Sequence, residues 1–72
     1  MFEQVEEIIR KYSPAEEIRP ESLLVDDLEL TSLDVVSMVG DFEEAFDIEV
    51  PDEDLMKFVT VSDIVEYISA RR

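Results

Sequence analysis

The chain has 72 residues, with 20 Asp and Glu against 6 Lys and Arg and a formal net charge of −14. A chain of this size forms one domain (residues 1–72) that buries only about 60% of its unfolded surface, so a deep catalytic cleft beside the core is excluded. The charge repels phosphate backbones and anionic lipid, which excludes nucleic acid and membranes as partners and favours basic protein surfaces approached by electrostatic steering.

Hydrophobic residues make up 46% of the chain, more than a disordered acidic tail carries, so the chain is expected to fold, as a monomer. There is no Cys, hence no disulfide and no thiolate metal site, and no His, the commonest general base. The opening MFEQVEEIIR is charged throughout, unlike a signal peptide, and no apolar run approaches membrane-spanning length. The cytoplasm is the expected location.

In chain order, Phe2, Val5, Ile8, Ile9 and Tyr12 recur at helical spacing, with Glu3, Glu6, Glu7, Arg10 and Lys11 between them. Glu residues come early and basic residues late, as the helix macrodipole favours, and Ser13-Pro14 ends the helix. Residues 13–31 form a long connection with Pro14 and Pro20, which Ile18, Leu23, Leu24, Val25, Leu28 and Leu30 can pin across the bundle, and which leaves room for a short helical turn around 15–18 or 21–24.

Thr31-Ser32-Leu33-Asp34 opens a second helix, with Thr31 or Ser32 as N-cap. Val35, Met38, Val39, Phe42 and Phe46 continue it, Gly40 weakens it, and Asp47 and Pro51 end it. Pro51-Asp52-Glu53-Asp54 starts a short third helix expected to reach about Phe58. Thr60-Val61-Ser62-Asp63 caps a last helix that points Val61, Ile64, Val65 and Ile68 inward and ends in Arg71 and Arg72. The expected class is an all-α four-helix bundle, with three longer helices, a short third one and a long loop between the first and second.

Between Glu21 and Met56 there are 13 acidic residues and no Lys or Arg. Such one-sided charge repels itself, so it serves either as a solvated face or as a docking surface for basic partners. Leu30-Thr31-Ser32-Leu33-Asp34-Val35-Val36, then Phe42-Glu43-Glu44-Ala45-Phe46-Asp47-Ile48-Glu49-Val50-Pro51, then Thr60-Val61-Ser62-Asp63-Ile64-Val65-Glu66-Tyr67-Ile68 together resemble the acyl carrier protein family over almost the whole chain. The resemblance implies a carrier that catalyses nothing, with 4′-phosphopantetheine from coenzyme A esterified to Ser32 by a separate transferase. It implies that Leu33, Asp34, Val36, Glu43 and Glu44 face the transferase and the acyl-processing enzymes, and that acyl chains are held between the helices. Periodicity alone also allows Val36 to belong to the core.

Ser32 is placed where free N–H groups and the dipole favour a phosphodiester, although a serine there also serves simply as a cap. This sequence departs from the family pattern at Thr31, where Asp usually precedes the serine, at Ser37, where Glu is common, and at Gly40, where an apolar residue is expected. Those changes bear on which enzymes accept the carrier. The expected cargo is an acyl chain of fatty-acid or related lipid biosynthesis. A D-alanyl, aminoacyl or polyketide group, or an unmodified acidic interaction module, are the alternatives. Clustered carboxylates are expected to attract divalent ions only loosely, since nothing matches a calcium-loop pattern and no metal site is expected.

Overall fold

Val5, Ile8 and Ile9 share one side of the first helix, α1 (Phe2–Ile9), and all three are buried in the computed structural model, which describes residues 1–71. α1 is shorter than the apolar spacing predicts. From Ile8 onward the chain tightens into a turn in which the amides of Lys11 and Tyr12 donate to the carbonyls of Ile8 and Ile9, at 3.1 and 3.0 Å. Such i→i+3 bonds commonly finish a helix that cannot continue, here because Pro14 lies two residues on. Tyr12 still behaves as expected of an inward residue: half-buried, it donates its hydroxyl to Asp41 Oδ2 at 2.5 Å. That bond, reinforced by burial, holds the Tyr12 phenol above its ordinary pKa.

The long connection contains no helix at 15–18 or 21–24. Leu23 instead forms an isolated antiparallel bridge with Thr60, and a turn follows in which the Leu28 amide returns to the Leu23 carbonyl at 3.0 Å. Asp27 turns the chain back by accepting the Leu23 amide at 2.8 Å. The segment is anchored by burial of Ile18, Leu24, Leu28 and Leu30, and by Ser13, whose hydroxyl donates to the Leu28 carbonyl at 2.7 Å. A segment so placed needs no repeating structure, because its carbonyls and amides are used by its neighbours.

Helix α2 (Ser32–Phe46) buries Met38, Val39 and Phe42, with Val35 and Phe46 half-buried against the same core. It stops at Asp47, whose left-handed backbone (φ 54°, ψ 53°) is a conformation that Asp tolerates better than most residues. Gly40 lies on the exposed side of α2, and a Cβ placed there would meet no atom within 4 Å. Gly40→Ala should therefore stabilise the domain by about 1 kcal/mol. Circular-dichroism melts should show this as a rise of roughly 4–8 °C.

Helix α3 (Asp52–Leu55) ends three residues before Phe58, and the chain continues in i→i+3 turns from Lys57 to Asp54 and from Phe58 to Leu55. α3 buries no residue, so packing gives it little reason to lengthen. Helix α4 (Val61–Arg71) buries Val61, Ile64 and Ile68. Arg72, expected at its end, lies outside the described residues. The described residues form three longer helices and one short one around a shared core of Val5, Ile9, Leu24, Leu28, Met38, Phe42, Val61, Ile64 and Ile68. Among the described residues, no buried side-chain nitrogen or oxygen lacks a hydrogen-bond partner, and no helix is long and apolar enough to cross a membrane.

Candidate functional site

Two helices begin with the same Thr-x-x-Asp pattern, and the chain completes both starts differently. At α2, Thr31 is the N-cap: its hydroxyl accepts the Asp34 amide at 3.1 Å while Asp34 Oδ2 accepts the Thr31 amide at 3.0 Å. At α4, Thr60 and Asp63 exchange the equivalent bonds at 3.2 and 3.0 Å. These backbone amides, from Thr60 and from Val59, hold the Asp63 carboxyl below the usual range.

The difference lies in the amides left over. Those of Val61 and Ser62 are taken by the carbonyls of Ser22 and Pro20, at 3.2 and 2.8 Å. Those of Ser32 and Leu33 have no acceptor among the described residues. Ser32, the first residue of α2, is exposed, and its hydroxyl likewise has no hydrogen-bond partner among the described residues. The start of α2 thus presents a free hydroxyl beside two free N–H groups and the positive end of a helix of 15 residues. A phosphodiester fits that environment, because its charge finds donors without removing an existing bond. No imidazole or thiol exists in the chain to activate the hydroxyl as a nucleophile.

The other expected site residues divide in two. Leu33 is 79% and Val36 54% exposed, so both are available for contact, and Val36 is not a core residue. Glu44 is also exposed. Asp34 is half-buried and committed to the cap of α2. Half-buried Glu43 also serves the fold, since its Oε2 accepts the Val50 amide at 2.8 Å and ties the α2–α3 connection to α2. Its position as a helix-face carboxylate gave no sign of that bond.

Beside Ser32 lies a groove of about 320 Å³ lined by Val25, Val35, Val36, Leu55, Met56 and Phe58 together with Ser32 itself. Its walls are α2, the long connection and the segment from α3 to Phe58. Val25, Leu55 and Met56 are the lining residues that helical periodicity missed. The signal for Val25 and Met56 is the exposure of their large apolar side chains, 86% for Met56, next to the Ser32 hydroxyl. No three Asp or Glu side chains converge into a metal cage among the described residues.

The family described as "Phosphopantetheine attachment site" matches residues 3–68. The acyl carrier protein of Helicobacter hepaticus is 50% identical over 58 residues, covering 81% of this chain and 76% of that protein. The acyl carrier protein of Clostridium acetobutylicum is 46% identical over 72 residues, covering 97% and 94%. A solved structure assigned as an acyl carrier protein from Mycobacterium tuberculosis superposes with a TM-score of 0.91 at 25% identity, covering 99% of this chain and 97% of that one. Fold and site together define a small helical domain that bears a phosphopantetheine arm. Within that class, the chain belongs to the acyl carrier protein family. It is a carrier, not a catalyst.

Proposed function

We propose that Ser32 is the residue that carries 4′-phosphopantetheine, and that the chain ferries growing or activated acyl chains for fatty-acid or related lipid biosynthesis in the cytoplasm, as a monomer. The observation that carries this reading is the free Ser32 hydroxyl beside the unused amides of Ser32 and Leu33. Attachment forms a bond from Ser32 Oγ to the phosphorus of coenzyme A that bears the pantetheine, breaks the pyrophosphate link, and releases adenosine 3′,5′-bisphosphate. The seryl proton leaves to a base on the transferase, since this chain has no imidazole to take it. The arm supplies a thiol, which this cysteine-free chain lacks.

The residues of the chain then have plain roles. Ser32 anchors the arm, and the α2 amides face its phosphate. Leu33 and Val36 offer an apolar contact, and Asp34, Glu43 and Glu44 surround it with negative charge that attracts basic transferase and synthase surfaces. The apolar groove offers the proximal cargo a dry surface.

Incubation with coenzyme A and a broad-specificity phosphopantetheinyl transferase should raise the intact mass by one phosphopantetheine. Ser32→Ala should abolish the gain, while Ser62→Ala and Ser37→Ala should keep it. An unchanged mass for the parent chain, or a gain in Ser32→Ala, would overturn the assignment.

A further inference from the structure

Helix α3 has no side-chain cap, buries no residue and spans four residues, yet the segment it starts supplies Leu55, Met56 and Phe58 to the groove beside Ser32. So short a helix has little stability of its own, and its position depends on what fastens it. The fastening centres on Asp54. Tyr67 of α4 donates its hydroxyl to Asp54 Oδ2 at 2.7 Å, and Arg71 Nη2 lies 3.5 Å from the same oxygen. Lys57 Nζ lies 3.4 Å from Oδ1.

The cluster is closed on itself. The Arg71 guanidinium carbon lies 3.6 Å from the centre of the Tyr67 ring, a cation–π contact. Phe58 meets that ring edge-on, with centroids 5.2 Å apart and planes at 83°. Phe58 therefore joins the groove to Tyr67, Tyr67 joins Asp54, and Asp54 belongs to the helix that carries Leu55 into the groove. The Tyr67 hydrogen bond holds the Asp54 carboxyl below the usual range, consistent with a carboxylate engaged in this contact.

We propose that Asp54, Tyr67 and Arg71 form a latch that fixes how far the Leu55–Phe58 wall stands from α2, and so sets the length of acyl chain that the groove shelters. They are positioning residues, and the proposal rests on the carrier reading of Ser32. A latched wall limits the apolar surface that a chain can reach, whereas a released wall lets the groove extend toward α4. Each methylene that leaves water is worth about fourfold in an equilibrium, so the limit is readable as a change of slope with chain length.

The test loads the protein, Tyr67→Phe and Asp54→Asn with a series of acyl-phosphopantetheine arms from the corresponding acyl-coenzyme A, and follows hydrolysis of each thioester at fixed mild alkaline pH. In the parent chain, protection should grow with chain length and then level off. In Tyr67→Phe, which keeps the ring but loses the hydroxyl, the levelling point should move to chains at least about two carbons longer, as the fourfold gain per methylene continues further. Asp54→Asn, which keeps an acceptor for Tyr67 but loses the charge facing Arg71, should move it in the same direction by less. Arg10→Gln, which removes the ion pair with Glu6 and the bond to the Glu16 carbonyl and touches no residue of the groove or the latch, should leave it in place.

A merely structural role would lower the melting temperature of the apo protein without moving the levelling point, and that outcome overturns the proposal. So does protection that is flat with chain length in the parent protein, or a levelling point that moves to shorter chains. Failure to load Ser32 at all is a different result, seen first in the mass, and it removes the carrier reading itself.

Discussion

Phe42→Ala should leave the domain largely unfolded at 37 °C. Phe42 is 1% exposed and sits at the centre of the core shared by α1, α2, α4 and the long connection. Truncating a buried phenylalanine to alanine costs about 3–5 kcal/mol, because the transfer energy is lost and the cavity closes only in part. A chain of this length has a total stability of about 4–11 kcal/mol from per-residue averages. Two features place it at the low end: the small core of a short chain, and the self-repulsion of a net charge of −14. Far-ultraviolet circular dichroism at 37 °C should show most of the helical signal gone, with partial recovery when salt screens the carboxylates. A melting temperature within a few degrees of the parent would show that the core does not depend on this ring.

The second large effect concerns recognition. Leu33→Ala should lower the transferase kcat/KM by about thirtyfold, the size of an interface hot spot worth roughly 2 kcal/mol. Leu33 is the residue next to the proposed attachment point and is 79% exposed, so it contributes little to the folded state. Its melting temperature should accordingly stay within about 4 °C of the parent, as surface substitutions away from special features change stability by less than about 0.5 kcal/mol. Val59→Ala, which trims an exposed apolar residue outside the groove lining, serves as the control and should leave kcat/KM unchanged. A Leu33→Ala rate within twofold of the parent would remove Leu33 from the contact surface.

How much of this was legible in the residues varies from element to element. The inward faces of α1, α2 and α4 follow from spacing alone, and Val5, Ile9, Met38, Phe42, Ile64 and Ile68 are buried as the helical period requires. Both Thr-x-x-Asp caps were also readable, since the chemistry of a capping box is local. What local chemistry could not supply is the contrast between Ser32 and Ser62. Each follows a capping threonine within two residues, and only the carbonyls of Pro20 and Ser22, distant in sequence, occupy the amides at one start and leave the other open. The bridge from Leu23 to Thr60 escaped for the same reason: a single pair makes no alternating pattern. The groove escaped because Val25 and Met56 belong to no periodic face. α3 stopped at Leu55 because the sequence provides a good acidic first turn but no apolar residue that becomes buried.

The attachment of Pro20, Ser22 and Leu24 to Val59, Val61 and Ser62 bears on the order of assembly. These partners lie about forty residues apart along the chain, and drawing such a loop shut costs about 3 kcal/mol of chain entropy before any contact compensates. The last helix therefore gains a firm beginning only once the middle of the molecule has collapsed. It becomes a late element of folding, and its leading amides should exchange with solvent only when that whole closure reopens.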